Sequence, residues 1–287
     1  MKVCAGIVLF NPEIERLKKN IDAVLPQVDL IVLVDNASDE TDKLQEMFTG
    51  PVNISDKIIF ISNDKNIGIA AALNQLIDYA DRNGYGWMLT LDQDSVCGDD
   101  LTEKLLTASQ SHNNVAMVSP NVIERDSNIN TTANGVLPEV EEVPVCITSG
   151  CLTNIKAVID TGGFNEWLFI DHVDHDMCIR LRYRGYRILK VNNAELHHEY
   201  GLKVVHRRIF FKVFEYHNYT PFRVYYQARN MLYMVRKYGA DFKPHPFFHY
   251  FRPIAVFFIK FIFEPQRAKR LKAFVKGYLI GLFMKIN

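Results

Sequence analysis

Between residues 3 and 91, four short and mostly apolar runs alternate with longer stretches whose apolar residues recur at helical spacing. The runs are Val3–Phe10, Leu30–Val34, Lys57–Ile61 and Trp87–Leu91, each short enough for a strand. A strand apolar on both faces needs cover on both, and intervening helices supply it. The pattern therefore specifies a doubly wound α/β domain around a mostly parallel sheet. Asn11 reads as a helix cap with Pro12 at the first helical position, followed by Ile14, Leu17, Ile21 and Leu25 on one face. Asp35–Ser38 reads as a turn before a second helix, and Gly68–Tyr79 as a helix with Leu73, Leu76 and Ile77 inward. From about 115 to 150 the pattern shifts to short β-like pieces, Val115–Ser119 and Val143–Thr148, which predict a mixed sheet edge. Helices are expected again over Asn154–Asp160 and Asp174–Tyr183.

Open α/β sheets bind ligands outside the carboxyl ends of their strands. That rule selects Phe10 with Asn11, Asp35 with Asn36, Asn63–Gly68, and Asp92–Asp94. Asp92 and Asp94 are two residues apart, so an extended chain puts both carboxylates on one side. Hard cations such as Mg²⁺ and Mn²⁺ take such ligands together with substrate phosphates, and a nucleoside diphosphate would complete the site. An isolated Asp-x-Asp also suits a solvated turn. A second cluster, Asp171, His172, Asp174, His175 and Asp176, follows the apolar Trp167–Ile170. Carboxylates at a helix start complement its dipole, but partial desolvation by an apolar approach would also suit one of them to general-base work. A third cluster, His197, His198 and Glu199, offers imidazole to a metal, and His198 could join Asp94 on one ion.

The chain holds 33 Lys plus Arg and 33 Asp plus Glu, yet the balance is not uniform. Residues 1–201 carry 16 basic and 30 acidic side chains, whereas residues 202–287 carry 17 and 3, with 22 of the 34 aromatics. The composition therefore suggests a boundary near 201. Such a tail fits an anionic surface, either membrane or nucleic acid. No recognised nucleic-acid module is present and the acidic body would repel a phosphate backbone, so no nucleic-acid partner is expected. A nucleotidyltransferase would open on a glycine-rich loop, and residues 3–12 contain only Gly6. Pro253–Phe263 is too short to span a bilayer. Beyond it, Leu271, Phe274, Val275, Tyr278, Leu279 and Leu282 form a helical stripe with Lys272 and Lys276 on the other face. This stripe suits either a membrane interface or packing on the body or a second subunit of a homo-oligomer. Five scattered cysteines without a Cys-x-x-Cys spacing read as packing thiols, and no signal peptide is apparent. The expected location is the cytoplasm, at the inner face of the membrane.

In combination and order, several of these segments resemble glycosyltransferase family 2. They are Phe10–Pro12, Asp35–Ser38, Asn66–Asn74, Asp92–Asp94, and Gly162–Phe164 through Asp174 to Gly185. The Phe-Ile-Asp-x-Val-Asp pattern at 169–174 is similar to the bacterial rhamnosyltransferase branch. The resemblance covers residues 3 to about 201 and continues through Tyr225, Tyr226, Arg229 and Asn230.

It implies a GT-A catalytic domain over 1–201, with a nucleotide-binding part to about 95 and an acceptor-binding part over 96–201. Residues 202–287 form a basic, helical, aromatic extension. It implies inverting transfer from a nucleotide-sugar, with dTDP-β-L-rhamnose favoured over UDP-glucose or UDP-galactose, to a saccharide acceptor that is usually lipid-linked. By the same resemblance Phe10, Asp35 and Asn66 line the nucleoside pocket, Asp35 accepting from the base imide, with Gly68 also on the donor. Asp92 faces the ribose or the diphosphate. Asp94 binds Mg²⁺ or Mn²⁺, and His198, in a His-x-x-Gly position, is a further ligand. Asp174 matches the family's catalytic base, although Val173 stands where the broader family has Glu, so Asp171 remains a rival base or acceptor-positioning group. Trp167 is expected at the acceptor, and Trp167 or Phe169 would supply an apolar wall for the rhamnose methyl. Arg229 is expected either at a diphosphate or as a cation–π packing residue.

Overall fold

The computed structural model describes residues 1–49, 56–124, 138–198, 204–209, 212–217, 219–242 and 266–286. Two compact units are present: Met1–Trp167 with Met177–Glu199, and Leu168–Asp176 with Tyr200–Asn287.

In the first unit, β1 (Val3–Leu9), β2 (Leu30–Asp35), β3 (Ile58–Ser62) and β4 (Trp87–Asp92) are parallel neighbours in the order β3-β2-β1-β4. Every residue of β1 is buried, as a strand covered on both faces requires. The connecting helices are α1 (Ile14–Val24), α2 (Thr41–Thr49) and α3 (Ile69–Arg82). Leu17, Ile21 and Val24 of α1 and Leu73, Leu76 and Ile77 of α3 are buried. The expected cap at Asn11 is not formed. Asn11 sits at φ 47°, and its amide oxygen accepts from the Asp39 N–H at 2.8 Å, so it joins two loops. The helix starts after Pro12, and Leu25 falls in a separate 3-10 turn, Leu25–Gln27.

Beyond β4 the sheet is mixed. Its remaining strands are β5 (Ser95–Cys97), β6 (Val115–Glu124), β7 (Val140–Glu142), β8 (Cys151–Asn154) and β9 (Arg187–His198), with α4 (Leu101–Gln110) between β5 and β6. β8 lies antiparallel between β4 and β6, β6 runs parallel to β9, and β5 and β7 pair antiparallel with β9. The strand expected over Val143–Thr148 is absent; β7 ends before this segment and β8 begins after it. Pro144 lacks the N–H a ladder needs. Next comes α5 (Ile155–Asp160), capped by the Asn154 side chain, which accepts from the Ala157 N–H at 3.0 Å. α6 (Val173–Tyr183) follows. All five cysteines are buried and free.

The second unit contains α7 (Pro221–Tyr238), α8 (Arg267–Phe283) and an antiparallel hairpin, β10 (Val204–Ile209) with β11 (Lys212–His217). The extension is thus helical with a hairpin that the sequence reading missed, in a segment rich in β-branched and aromatic residues. Val224 and Ala228 of α7 pack on Phe274 of α8, with Tyr219 and Tyr278 alongside. Gly277 and Gly281 permit the approach, since a Cβ on either would run into the carbonyl oxygen of Tyr225 or Arg229.

The expected six-residue stripe on α8 therefore splits. Phe274 is buried on α7, while Leu271, Val275, Leu279 and Phe283, each four residues apart, are exposed. Among the described residues, no helix is long and apolar enough to cross a membrane. Pro253–Phe263 lies outside the described residues.

Candidate active site

The register of the first four strands brings their carboxyl ends level. Leu9 pairs with Asp35, Asp35 with Ser62, and Val8 with Asp92. Phe10, Asp35, the Asn63–Gly68 loop and Asp92–Asp94 therefore share one edge, as the strand-end rule requires.

Side-chain amides tie these ends together. Gln93 accepts from the Phe10 N–H at 2.8 Å and donates to the Phe10 carbonyl at 3.3 Å, joining the ends of β1 and β4. Asn36 donates to Asn66 Oδ1 at 3.0 Å and accepts from the Ile67 N–H at 2.9 Å. Asn66 Oδ1 also accepts from the Gly68 N–H at 2.9 Å. Gly68, at φ 88°, precedes the first turn of α3 in a conformation open to glycine. Phe10 projects at 47% exposure.

Asp35 is tied into its own turn. It is 0% exposed; its oxygens accept from the Ser38 N–H at 3.1 Å and from the Ser38 and Thr41 hydroxyls at 2.5 Å each. In this arrangement the carboxylate organises the turn after β2.

Asp92 and Asp94 are both half-buried at the end of β4. Ser95 pairs with His198 across the β5–β9 ladder, so the backbone of Asp94 lies one residue from the position opposite His198. Among the described residues, no group of three His, Cys, Asp or Glu side chains converges as a metal site. One or two protein ligands with diphosphate oxygens suit Mg²⁺ or Mn²⁺, and oxygen donors at Asp92 and Asp94 have the right chemistry.

Farther along the first unit, Asn74 of α3 fixes the loop before α6. It accepts from the Phe164 N–H at 2.7 Å and donates to the Phe164 carbonyl at 3.0 Å and to Glu166 at 2.8 Å. Trp167, in the 3-10 turn Glu166–Leu168, is 38% exposed.

In the second unit, Asp174 occupies the first turn of α6. Its Oδ1 accepts from the His175 backbone N–H at 2.8 Å and lies 2.9 Å from His175 Nδ1. Burial pushes this carboxyl's pKa up. The hydrogen bond and charge of the His175 imidazole, the His175 N–H and the charge of His172 outweigh that push and hold it below the ordinary value. Asp171 behaves oppositely. Burial raises it, and the charge and hydrogen bonds of Arg223 offset only part of the rise. Desolvation thus acts upward on both carboxyls; its effect prevails at Asp171 and is outweighed at Asp174.

Arg229 has the contacts of the packing alternative. It is 7% exposed, lies 4.5 Å over the Tyr226 ring, and donates to Asn230 Oδ1 at 2.9 Å and the Leu168 carbonyl at 3.1 Å. Phe169 stacks on Tyr226 at 4.9 Å. Arg223, which sequence reasoning missed, shares a helical face with Tyr226 and Asn230 at spacings of three and four, the one signal that could have singled it out.

The family model for glycosyl transferase family 2 matches residues 4–171, more than half of the chain. The chain belongs to glycosyltransferase family 2. Within it, the protein is 29% identical over 250 residues to the dTDP-rhamnosyl transferase RfbF of Shigella flexneri, covering 82% of this chain and 80% of that one. Similar solved structures include the mannosyltransferase PcManGT of Pyrobaculum calidifontis in complex with GDP-Man and Mn²⁺, at TM-score 0.58 and 12% identity, covering 99% of this chain and 88% of that one. S. aureus TarS 1–349 matches at TM-score 0.57 and 12% identity, with 99% and 81% covered. GalNAc-T7 with UDP, GalNAc and Mn²⁺ matches at 0.63 and 12% identity, with 99% of this chain but 56% of its own length covered. These likenesses show the fold, which is GT-A.

Proposed function

We propose that this glycosyltransferase moves L-rhamnose from dTDP-β-L-rhamnose to a hydroxyl of a saccharide acceptor, with inversion at the anomeric carbon. The similarity to the dTDP-rhamnosyl transferase RfbF over four-fifths of its length carries the choice of sugar. The level strand ends, with Phe10, Asn66, Gly68 and Asp92 along one edge, support a nucleotide-sugar site there. In this reading Phe10 and Asn66 border the nucleoside, and Asp92 faces the ribose or the diphosphate.

Asp94 and His198 would hold Mg²⁺ or Mn²⁺, which supplies Lewis-acid stabilisation of the departing diphosphate. Asp174 accepts the proton of the acceptor hydroxyl as that oxygen forms its bond to the anomeric carbon. The bond from that carbon to the diphosphate breaks on the opposite face, releasing dTDP. The exposed Trp167 offers an apolar surface to the acceptor. Residues 1–95, 96–201 and 202–287 serve as donor part, acceptor part and extension.

The decisive experiment is a donor panel, reading nucleoside diphosphate release with and without Mg²⁺ or Mn²⁺. Preference for dTDP-β-L-rhamnose supports the proposal. Preference for UDP-glucose or UDP-galactose overturns the rhamnosyl assignment and leaves family membership intact.

The exposed line Leu271, Val275, Leu279 and Phe283 on α8, beside the exposed Lys272 and Lys276, favours a second element of the reading. It would rest on an anionic membrane at the cytoplasmic face, where a lipid-linked acceptor would be met. The Leu271→Gln, Leu279→Gln double variant should fail to pellet with anionic vesicles that retain the wild type; equal pelleting would refute this contact.

A further inference from the structure

Three non-glycine residues just before α6 hold left-handed backbone: Phe169 at φ 65°, Asp171 at 64° and His172 at 65°. Side-chain-bearing residues adopt this region rarely, and a run of them persists only where the surroundings over-determine it. The determining group is Asn230 of α7, which is fully buried. Its amide nitrogen donates toward the carbonyls of Leu168 at 2.8 Å, Ile170 at 2.7 Å and Asp171 at 3.0 Å. The amide has two hydrogens, so these three contacts share them. Arg229 fixes which way the amide faces, donating from Nε to Asn230 Oδ1 and from Nη2 to the Leu168 carbonyl. The clamped loop runs directly into the first turn of α6, where the His172 carbonyl accepts from the Asp176 N–H at 3.0 Å. Asp174 lies inside that turn.

We propose that Asn230 is a positioning residue for the transfer reaction, clamping the 168–172 backbone so that Asp174 is held at the acceptor hydroxyl. The inference rests on Asp174 being the base. Asn230 touches no reacting atom; it acts through the loop. Removing its donors leaves the carbonyls with fewer partners, frees the left-handed run to relax, and lets the carboxylate drift. A drift of about 1 Å at a catalytic group lowers turnover ~100-fold.

The full-length protein is assayed as wild type, Asn230→Leu, Asn230→Ser and Asp174→Asn, each normalised to its folded fraction. The expected result is a ~100-fold loss of kcat in Asn230→Leu and a smaller loss in Asn230→Ser, with donor KM and dTDP affinity within about twofold of wild type. The serine variant keeps one donor, so the test survives a leucine variant that does not fold. A lower melting temperature with unchanged kcat in either variant would overturn the proposal, leaving Asn230 a stabilising residue only. Full transfer by Asp174→Asn would overturn the base assignment instead, so the two failures are distinguishable.

Discussion

Arg223 grips Asp171: Nη2 lies 3.0 Å from Oδ1, and Nε lies 3.3 Å from each carboxylate oxygen. Such a fork satisfies both oxygens and fixes the carboxylate plane. Asp174, three residues on, is bound only through Oδ1 in the contacts it makes with His175. Asp171 is thus held through both oxygens, with its side chain 15% exposed, whereas the proposed function assigns the base to Asp174.

The pH dependence of kcat separates the two. A base must be ionised, so activity is lost as pH falls through its pKa in the folded enzyme. With Asp174 as base, the acid limb lies below the ordinary carboxylate value; with Asp171 it would lie above. His175→Ala removes the strongest lowering contributions at Asp174 and should move the limb to higher pH. The same shift means that Asp174 contributes stability above its unfolded pKa, lost as pH falls through its folded one. Kinetics of the wild type and His175→Ala across the acid range check both signs.

Asp35→Ala should destabilise the protein by about 1–3 kcal/mol, because the Ser38 N–H and the Ser38 and Thr41 hydroxyls lose their acceptor. Donor KM should rise with the disordered turn. A donor KM that rises with unchanged stability would point to a direct contact between Asp35 and the base. Denaturant unfolding beside donor kinetics distinguishes the outcomes.

Gly277→Ala should cost about 1–3 kcal/mol, since its Cβ would meet the Tyr225 backbone and a backbone cannot swing aside as a side-chain tip does. Val275→Ala, two residues earlier and on the exposed face, should change stability by less than about 0.5 kcal/mol. Chemical denaturation of both variants tests which face of α8 is packed.

The strands β1 to β4 and the inward face of α3 were legible because local pattern and tertiary burial agree there. β8 was not, because four residues carry little periodicity and its place between β4 and β6 is set by neighbours 30 or more residues away. The α8 stripe misled for a related reason. Two glycines, invisible to a hydrophobic pattern, decide which side lies against α7. Asp35, Asp92 and Asp94 stand at or just beyond strand ends, but residue type alone does not say which donors a carboxylate meets; at Asp35 these are the Ser38 N–H and the Ser38 and Thr41 hydroxyls, partners that the folded turn supplies. The Asn230 clamp joins residues about 60 positions apart, a pairing that only the folded chain makes.

The most direct test compares turnover of dTDP-β-L-rhamnose by the wild type, Asp174→Asn and Asp171→Asn, reading acceptor-dependent dTDP release. Asp174→Asn should lose about 10²–10⁴ in kcat, the usual worth of a general base, while Asp171→Asn retains measurable transfer. Normal release by Asp174→Asn alongside a silent Asp171→Asn would contradict the account.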